Sequence, residues 1–361
     1  MLAAGGTGGH LFPAYALAEE LARRGITIDL VTDHRGDRYG SDFPARHTYQ
    51  VPSATLGGKS PVALARTGFT LARGLIAARS LLKKVRPRAI VGFGGYPSFP
   101  PLLAAASLRI PSALHEQNAV LGRANRMLAK RVTAVATSFD KVKLLDAGLM
   151  AKVRVTGNPV RDAVIAQTAR PYPALGPDTL LLLLVFGGSQ GARYFSDTVP
   201  PALATLAPEL RRRLSVVQQV REEDIDRVRA AYSGAGIKAD VQPFFKNLPE
   251  VMAASHLVIA RSGASSVAEL AAIGRPSILV PLPHALDNDQ LQNATRLAES
   301  GGAWCIEQKN LSPERLGQEI TRLAADPGRL SKAAAAAKAQ GRPDAVKRLA
   351  DLVEELIGKK G

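Results

Sequence analysis

The sequence predicts an α/β protein of two doubly wound domains, each a parallel sheet with helices on both faces, facing a shared cleft. Three observations predict it. Apolar runs of strand length alternate with helical periodicity along nearly the whole chain. A turn of the form Gly-Gly-[Ser/Thr]-x-Gly occurs twice, half a chain apart, at Gly5-Gly6-Thr7-Gly8-Gly9-His10 and at Gly187-Gly188-Ser189-Gln190-Gly191-Ala192. The chain has 361 residues, whereas a single core stops growing at roughly 250–300 residues.

In order, residues 2–4 read as the end of a strand, and 13–24 as a helix with Pro at its beginning and Gly25 after its end. Residues 26–32 form a second strand; 35–58, rich in Gly, Arg, Pro and Asp, read as loop; 61–85 is helical. The strand at 89–93 runs into a third glycine turn, Gly94-Gly95-Tyr96-Pro97. Helix 100–108, strand 112–114, the polar run His115-Glu116-Gln117-Asn118, and strands 132–136 and 153–156 complete the first half. Gly157-Asn158-Pro159-Val160-Arg161 fits neither period and reads as the hinge. The alternation restarts with strands at 180–186, 214–220, 239–242, 257–260 and 277–280 and helices at 222–231, 247–254, 265–273 and 288–300. The tail is helical from Ser312, broken at Pro343, and its last helix is expected to cross back to the first domain. The expected domains are 1–160, joined by a helix at about 344–358, and 161–343.

Composition narrows the function classes. Hydrophobic residues make up 46% of the chain, enough for a sizeable core in each half. No apolar run reaches the ~18 residues of a membrane span, and residues 1–5 lack the basic and apolar regions of a secretory signal. Cys305 is the one cysteine, which excludes an internal disulfide and fits a reducing compartment. The formal net charge of +16 calls for an anionic partner. Aromatics are only 5%, with none interleaved in a basic patch for base stacking, so a phosphate-bearing substrate or a membrane surface suits the charge better than nucleic acid.

Strand, glycine turn, helix is the arrangement that aims backbone N–H groups at a phosphate. The first turn matches a dinucleotide fingerprint only in part: Asp33 lies roughly where a ribose-binding acid would, but Leu11 stands where the third glycine or alanine belongs. His10 lies at the mouth of that turn, where a neutral imidazole can take a proton near pH 7; standing alone, it would read as an ordinary helix-terminal histidine. Arg261-Ser262-Gly263-Ala264-Ser265-Ser266-Val267-Ala268-Glu269 follows a strand and opens a helix, whose N–H groups would hold a diphosphate. Glu269, one turn in, could accept both hydroxyls of a ribose or merely complement the helix dipole. Asp287-x-Asp289 could hold a cation, but Asp287 reads better as an N-cap of the following helix. In helix 61–85, Phe69, Leu71, Leu75, Ile76 and Leu82 alternate with Arg66, Arg73, Arg79, Lys83 and Lys84. Such a helix packs on a sheet or lies on an anionic membrane.

Together these motifs resemble the undecaprenyl-diphospho-muramoylpentapeptide β-N-acetylglucosaminyltransferase family. The matching residues are 5–10, Gly94-Gly95-Tyr96, His115-Glu116-Gln117-Asn118, 157–161, 187–192, 261–264 and Glu269, in the family's order and over most of the chain. The resemblance implies a GT-B fold of two Rossmann-like domains and an inverting transfer of N-acetylglucosamine from UDP-GlcNAc to a lipid-linked MurNAc-pentapeptide. That step turns lipid I into lipid II in peptidoglycan synthesis. It implies that Glu269 holds the ribose, and Ala264, Ser265, Ser266 and Val267 the diphosphate, with Ala268 also in the substrate site. Ser189, Arg161 and Arg261 help fix the nucleotide, Phe245 meets the uracil through its backbone, and Asn118 and Gln290 meet the sugar. Thr7, Gly8 and Gly9 face the substrates from the first domain, with His10 as base. Asp289 departs from the Gln of many members, and Phe245 from their aliphatic residue. No cofactor and no metal are expected. The expected place is peripheral, at the cytoplasmic face of the inner membrane. The rival readings are another GT-B enzyme such as a UDP-GlcNAc 2-epimerase, or a basic non-enzymatic membrane- or nucleic-acid-binding protein.

Overall fold

A computed structural model describes residues 1–5, 8–33, 43–53, 60–176, 179–188 and 193–358. The chain divides into two compact units, one of Met1–Arg161 with Asp344–Gly361, the other of Asp162–Pro343.

In the first unit, strands β1 (Leu2–Ala3), β2 (Asp29–Thr32), β3 (His47–Gln50), β4 (Ile90–Gly92), β5 (Ser112–Glu116), β6 (Ala134–Thr137) and β7 (Val153–Val155) form one sheet in the order β3-β2-β1-β4-β5-β6-β7. Its described pairings are all parallel. The side-chain period of two builds its layers. Leu2, Leu30, Val91, Ala113 and Ala134 point to one face, against helices α1 (Gly8–Arg23) and the C-terminal Ala345–Gly358. Their neighbours Ala3, Val31, Ile90, Leu114 and Val135 point to the other. There they meet α2 (Pro61–Val85), α3 (Gly95–Ser107) and α4 (Arg123–Leu128). The C-terminal helix joins this unit through Leu349, Val353 and Leu356, spaced to form one apolar stripe. Arg24 of the segment after α1 ties it down, reaching Asp351 at 2.6 Å and Glu354 at 3.0 Å.

The second unit holds α5 (Asp162–Ile165), β8 (Leu181–Phe186), α6 (Arg193–Ala204), α7 (Pro208–Arg212), β9 (Leu214–Gln219), α8 (Ile225–Gly234) and β10 (Lys238–Gln242). It continues with α9 (Leu248–Ala254), β11 (Leu257–Ala260), α10 (Ala264–Ile273), β12 (Ser277–Leu279), α11 (Asp289–Glu299), β13 (Ala303–Cys305), α12 (Pro313–Ala324) and α13 (Pro327–Gln340). The C-terminal helix, Ala345–Gly358, is α14. The sheet order is β10-β9-β8-β11-β12-β13, again all parallel. Local chemistry sets the helix ends. Ser312 and Asp326 cap α12 and α13, and Pro313 and Pro327 open them. Gly274, left-handed at φ 78°, closes α10, with Arg275 N–H reaching back to the Leu270 carbonyl.

Several sequence expectations are corrected. Helix α1 begins at Gly8 rather than at Pro13, so Pro13 lies inside it. The stretch read as loop, 35–58, contains β3. Strand β13 and helix α4 were not anticipated.

Candidate active site

Both sheets reverse their strand order at an interior strand, β1 in the first unit and β8 in the second. In such open sheets a ligand binds outside the carboxyl ends of the strands flanking that reversal. The strands there are β1 and β4 in one unit, β8 and β11 in the other. They deliver Gly5 and the start of α1, the Gly94-Gly95 turn, Gly187-Gly188, and Arg261-Ser262-Gly263. Every glycine turn singled out in the sequence therefore stands at a switch point. Thr7 and Ser189 lie outside the described residues.

In the first unit, Gly8, Gly9 and His10 make the first turn of α1. The His10 ring packs against the glycine turn of α3. A Cβ on Gly94 would sit 3.4 Å from His10 Cε1, and one on Gly95 3.3 Å from Nε2. Both glycines have positive φ, 83° and 68°, which other residues adopt only with strain. His10 Nδ1 lies 3.2 Å from Gln117 Oε1. Gln117 Nε2 donates to the Phe93 carbonyl at 3.0 Å and lies 2.9 Å from His115 Nδ1. His115 Nε2 lies 2.9 Å from the Gly157 carbonyl. His115 is fully buried, and that burial lowers its pKa to about 4.

Asn118 is placed by Glu116. That carboxylate accepts from Asn118 N–H at 3.0 Å, Gly122 N–H at 2.8 Å and Asn125 Nδ2 at 2.8 Å. Burial raises the Glu116 pKa, and these donors oppose the rise. Arg161 stacks its guanidinium over the Phe12 ring at 5.3 Å, which brings residue 161 to the face of α1.

In the second unit, α10 starts at Ala264 behind Gly263, with no side chain capping it. Its first-turn N–H groups have no intrahelical partner and carry the positive end of the helix dipole. Ser265 Oγ is buried and has no hydrogen-bond partner among the described residues, which costs about 1–3 kcal/mol until something bonds it. A Cβ on Gly263 would meet nothing within 4 Å, so there is open space before the helix start. Ala264, Ser266 and Ala268 are half-buried, Val267 and Glu269 buried. Glu269 thus stands one turn inside a helix whose N-terminus suits an anion.

Arg261 is turned inward. It donates to the carbonyls of Val280 and Pro281 at 3.1 Å and to Gln308 Oε1 at 2.7 Å, and it stacks on Tyr194 and Phe195. It holds the segment after β12 in place. Gln290 meets that segment too: its Oε1 accepts from Leu282 N–H at 3.0 Å, and its carbonyl accepts from Ser262 Oγ at 2.8 Å. Asn293 completes the tie by donating to the Ser262 carbonyl. Phe245 is buried, while Phe244 beside it is exposed. Asp287 does not cap α11. It sits two residues ahead of the helix at φ 55°, and Asn288 occupies the cap position. Asp289 instead turns its own Oδ1 onto Gln290 N–H at 2.6 Å. Among the described residues no three His, Cys, Asp or Glu cluster as metal ligands.

Sequence reasoning singled out His10 but not the contacts around it. His115 and Gln117 stood out as a polar run after a buried strand and as part of the family resemblance, with no role assigned to either. Ser262 appeared only within the stretch 261–269, and Asn293 carried no signal.

The chain matches two family descriptions, the glycosyltransferase family 28 N-terminal domain over residues 1–137 and the glycosyltransferase family 28 C-terminal domain over 182–349. It is 56% identical over 358 residues to the UDP-N-acetylglucosamine--N-acetylmuramyl-(pentapeptide) pyrophosphoryl-undecaprenol N-acetylglucosamine transferase of Rhodopseudomonas palustris strain BisA53, covering 99% of this chain and 96% of that one. The protein of that name from Rhizobium etli strain CIAT 652 is 52% identical, covering 100% of this chain and 96% of that one. Among solved structures, Acinetobacter baumannii MurG superposes with a TM-score of 0.81 at 29% identity, over 98% of each chain. A UDP-GlcNAc 2-epimerase from Neisseria meningitidis, at 15% identity and TM-score 0.68 over 98% of each chain, shares the fold. Two parallel sheets of one topology, glycine turns at both switch points and near-full-length identity converge: the chain belongs to glycosyltransferase family 28, among its UDP-N-acetylglucosamine--N-acetylmuramyl-(pentapeptide) pyrophosphoryl-undecaprenol N-acetylglucosamine transferases.

Proposed function

We propose that this enzyme transfers N-acetylglucosamine from UDP-GlcNAc to the C4 hydroxyl of undecaprenyl-diphospho-MurNAc-pentapeptide, converting lipid I to lipid II in peptidoglycan synthesis. The observation that carries the reading is identity above 50% over essentially the whole chain with transferases of that one name. The site residues have the chemistry the reaction needs. The acceptor O4 attacks the anomeric carbon, the bond to the diphosphate breaks, and UDP leaves with the electron pair. His10 takes the O4 proton as general base. The start of α10, with Ser265, Ser266 and the N–H groups of residues 264–266, receives the charge that develops on the diphosphate. Glu269 accepts the ribose hydroxyls. Phe245 meets the uracil through its backbone, and Asn118 and Gln290 orient the sugar. Arg161 and Ser189 steady the nucleotide, and Thr7, Gly8 and Gly9 line the acceptor side. Arg261 acts through the segment it braces.

We assign donor binding to the second unit and acceptor and membrane approach to the first. On α2, Arg66, Phe69, Arg73, Ile76, Lys83 and Lys84 are exposed, and Phe69 and Ile76 are 66% and 70% accessible. Leu75, by contrast, packs on the core. A stripe of cations with two exposed apolar groups suits peripheral contact with an anionic leaflet, and no helix among the described residues is long and apolar enough to cross a membrane.

The test measures UDP release with UDP-GlcNAc alone and with a lipid I analogue. Release is expected only with the analogue, together with a disaccharide product. Equal release without acceptor overturns the reading in favour of epimerase-type chemistry. His10→Ala is expected to lower turnover by roughly 10²–10⁴-fold with donor binding kept; unchanged turnover removes His10 as base.

A further inference from the structure

We propose that Gln117 and His115 are positioning residues that fix the His10 tautomer, so that Nδ1 carries the proton and Nε2 presents its lone pair to the acceptor. The proposal rests on the assignment of His10 as base and deepens it.

The hydrogen-bond chain has one consistent reading, and it starts from a group with no choice. The Gly157 carbonyl can only accept, so His115 Nε2, 2.9 Å away, carries a proton. His115 is fully buried, which penalises its charged form and keeps it neutral near pH 7, leaving a lone pair on its Nδ1. The amide end of Gln117 is fixed twice over. Its Nε2 faces that lone pair at 2.9 Å, and it also faces the carbonyls of Phe93 at 3.0 Å and His115 at 3.1 Å. Three acceptors around one atom require the NH₂ group there. The other end, Oε1, is then an acceptor directed at His10 Nδ1, 3.2 Å away. His10 must supply the proton, and a neutral imidazole with Nδ1–H has its basic lone pair on Nε2.

Packing holds the ring in this orientation. Residues 94 and 95 lie against its Cε1–Nδ1 and Cδ2–Nε2 edges, closely enough that a methyl group on either would sit 3.3–3.4 Å from it. Turning the ring over would put a C–H where Gln117 Oε1 now accepts. The chain begins at the Gly157 carbonyl, so the segment 157–161, read from sequence as a hinge and as part of the family resemblance, also anchors the orientation of a residue 147 positions earlier in the fold's first helix. The same logic governs metal-bound and triad histidines, where the partner of one ring nitrogen sets the role of the other. Here the partner is a neutral amide.

The test has a spectroscopic arm and a kinetic arm, on full-length protein. NMR of isotope-labelled histidine ring nitrogens reads each tautomer directly. The wild type is expected to show neutral His10 protonated at Nδ1 and neutral His115 protonated at Nε2. Gln117→Leu removes the acceptor, and His10 is expected to shift toward the Nε2–H form. Turnover of that variant is expected to fall about 10–100-fold, as for other supporting contacts, with KM for UDP-GlcNAc unchanged. Gln117→Glu keeps an acceptor at Oε1 and is expected to restore Nδ1–H at His10 even if turnover stays low. His10 protonated at Nε2 in the wild type, or Gln117→Leu leaving tautomer and kcat unaltered, overturns the proposal. Failure of the base assignment is distinguishable. In that case His10→Ala keeps its turnover, while the tautomers of the wild type still report the chain.

Discussion

Acidification should loosen the first unit through a single histidine. His115 sits near the end of β5, an interior strand of that unit's sheet, fully buried, and its pKa is lowered from 6.5 to about 4, chiefly because burial penalises the charged ring. The Gly157 carbonyl opposes this, and His10 adds slightly to it. The sign follows from linkage. The unfolded chain takes up this proton near pH 6.5, the folded chain only near pH 4, so the stability is intact above pH 6.5, falls as pH drops from 6.5 to 4, and is flat below. At about 1.4 kcal/mol per pH unit, the loss is on the order of 3 kcal/mol. The sole tryptophan, Trp304, lies in the second unit, so fluorescence would follow the wrong half. His256, also lowered by burial, would add its own term to any global melt. Hydrogen exchange by mass spectrometry, read on the peptide containing Ser112–Glu116, reports the right strand locally. Between pH 7 and pH 4 its protection factor should fall on the order of 10²-fold more in the wild type than in His115→Gln. Parallel falls in the two proteins would refute the argument, whatever the starting stability of the variant.

Three further outcomes follow from the site. Glu269→Ala should weaken UDP-GlcNAc binding at least about tenfold by calorimetry, since a hydrogen bond to a charged group contributes about 1.5–3 kcal/mol; unaltered affinity would reduce Glu269 to a dipole-complementing acid of about 0.3–1 kcal/mol. Transfer should persist in chelator, because the start of α10 supplies the charge stabilisation; complete loss, restored only by Mg²⁺ or Mn²⁺ and abolished in Asp287→Ala, would sink that view. Replacing Arg73 and Lys83 by Glu, and Phe69 and Ile76 by Ser, should lower binding to anionic vesicles by about 1 kcal/mol per cation removed, in a salt-dependent way. Activity on a membrane-embedded acceptor should fall with it while a short-chain soluble acceptor is still used, and equal loss on both would assign the helix to core support.

The parts of the fold legible in sequence are those buried on both faces. Strand β11, Leu257–Ala260, is a continuous apolar run closed by a polar turn, and the expected bounds are the observed ones. The missed strands, β3 and β13, are the outer strands of their sheets. An edge strand pairs on one side only and buries less, so it need not be apolar; β3 reads His-Thr-Tyr-Gln and is largely exposed. The start of helix α1 was hidden by its own composition. Its first turn is Gly-Gly-His, poor helix formers that leave the backbone accessible, and Pro13 looks like a start signal although the helix is already running. The exposed apolar groups of α2 were half legible: the period could not tell Leu75, which packs inward, from Phe69, which does not. The support of His10 was not legible at all, because Gln117 and Gly157 reach it only through the folded sheet.

The two units share a topology and furnish their switch points differently, and the roles proposed for them give the difference a physical reason. A departing diphosphate is a large, diffuse anion. Backbone N–H groups fixed at a helix start meet it without reorganising, and that requires small residues at the turn and a helix left uncapped. A proton acceptor needs one lone pair aimed in one direction, which backbone cannot supply. The first unit builds a side-chain chain from the Gly157 carbonyl through His115 and the uncharged amide of Gln117 to His10. A carboxylate in the place of Gln117 would also orient the ring, but it would stabilise the imidazolium once formed. The amide orients without that charge, so on the proposed mechanism a proton taken by His10 is not held by a buried ion pair and can leave before the next turnover. The buried carboxylate of Glu116, next to Gln117 in sequence, is directed onto Asn118, Gly122 and Asn125. Orientation and charge are thus kept on separate side chains of one short strand end.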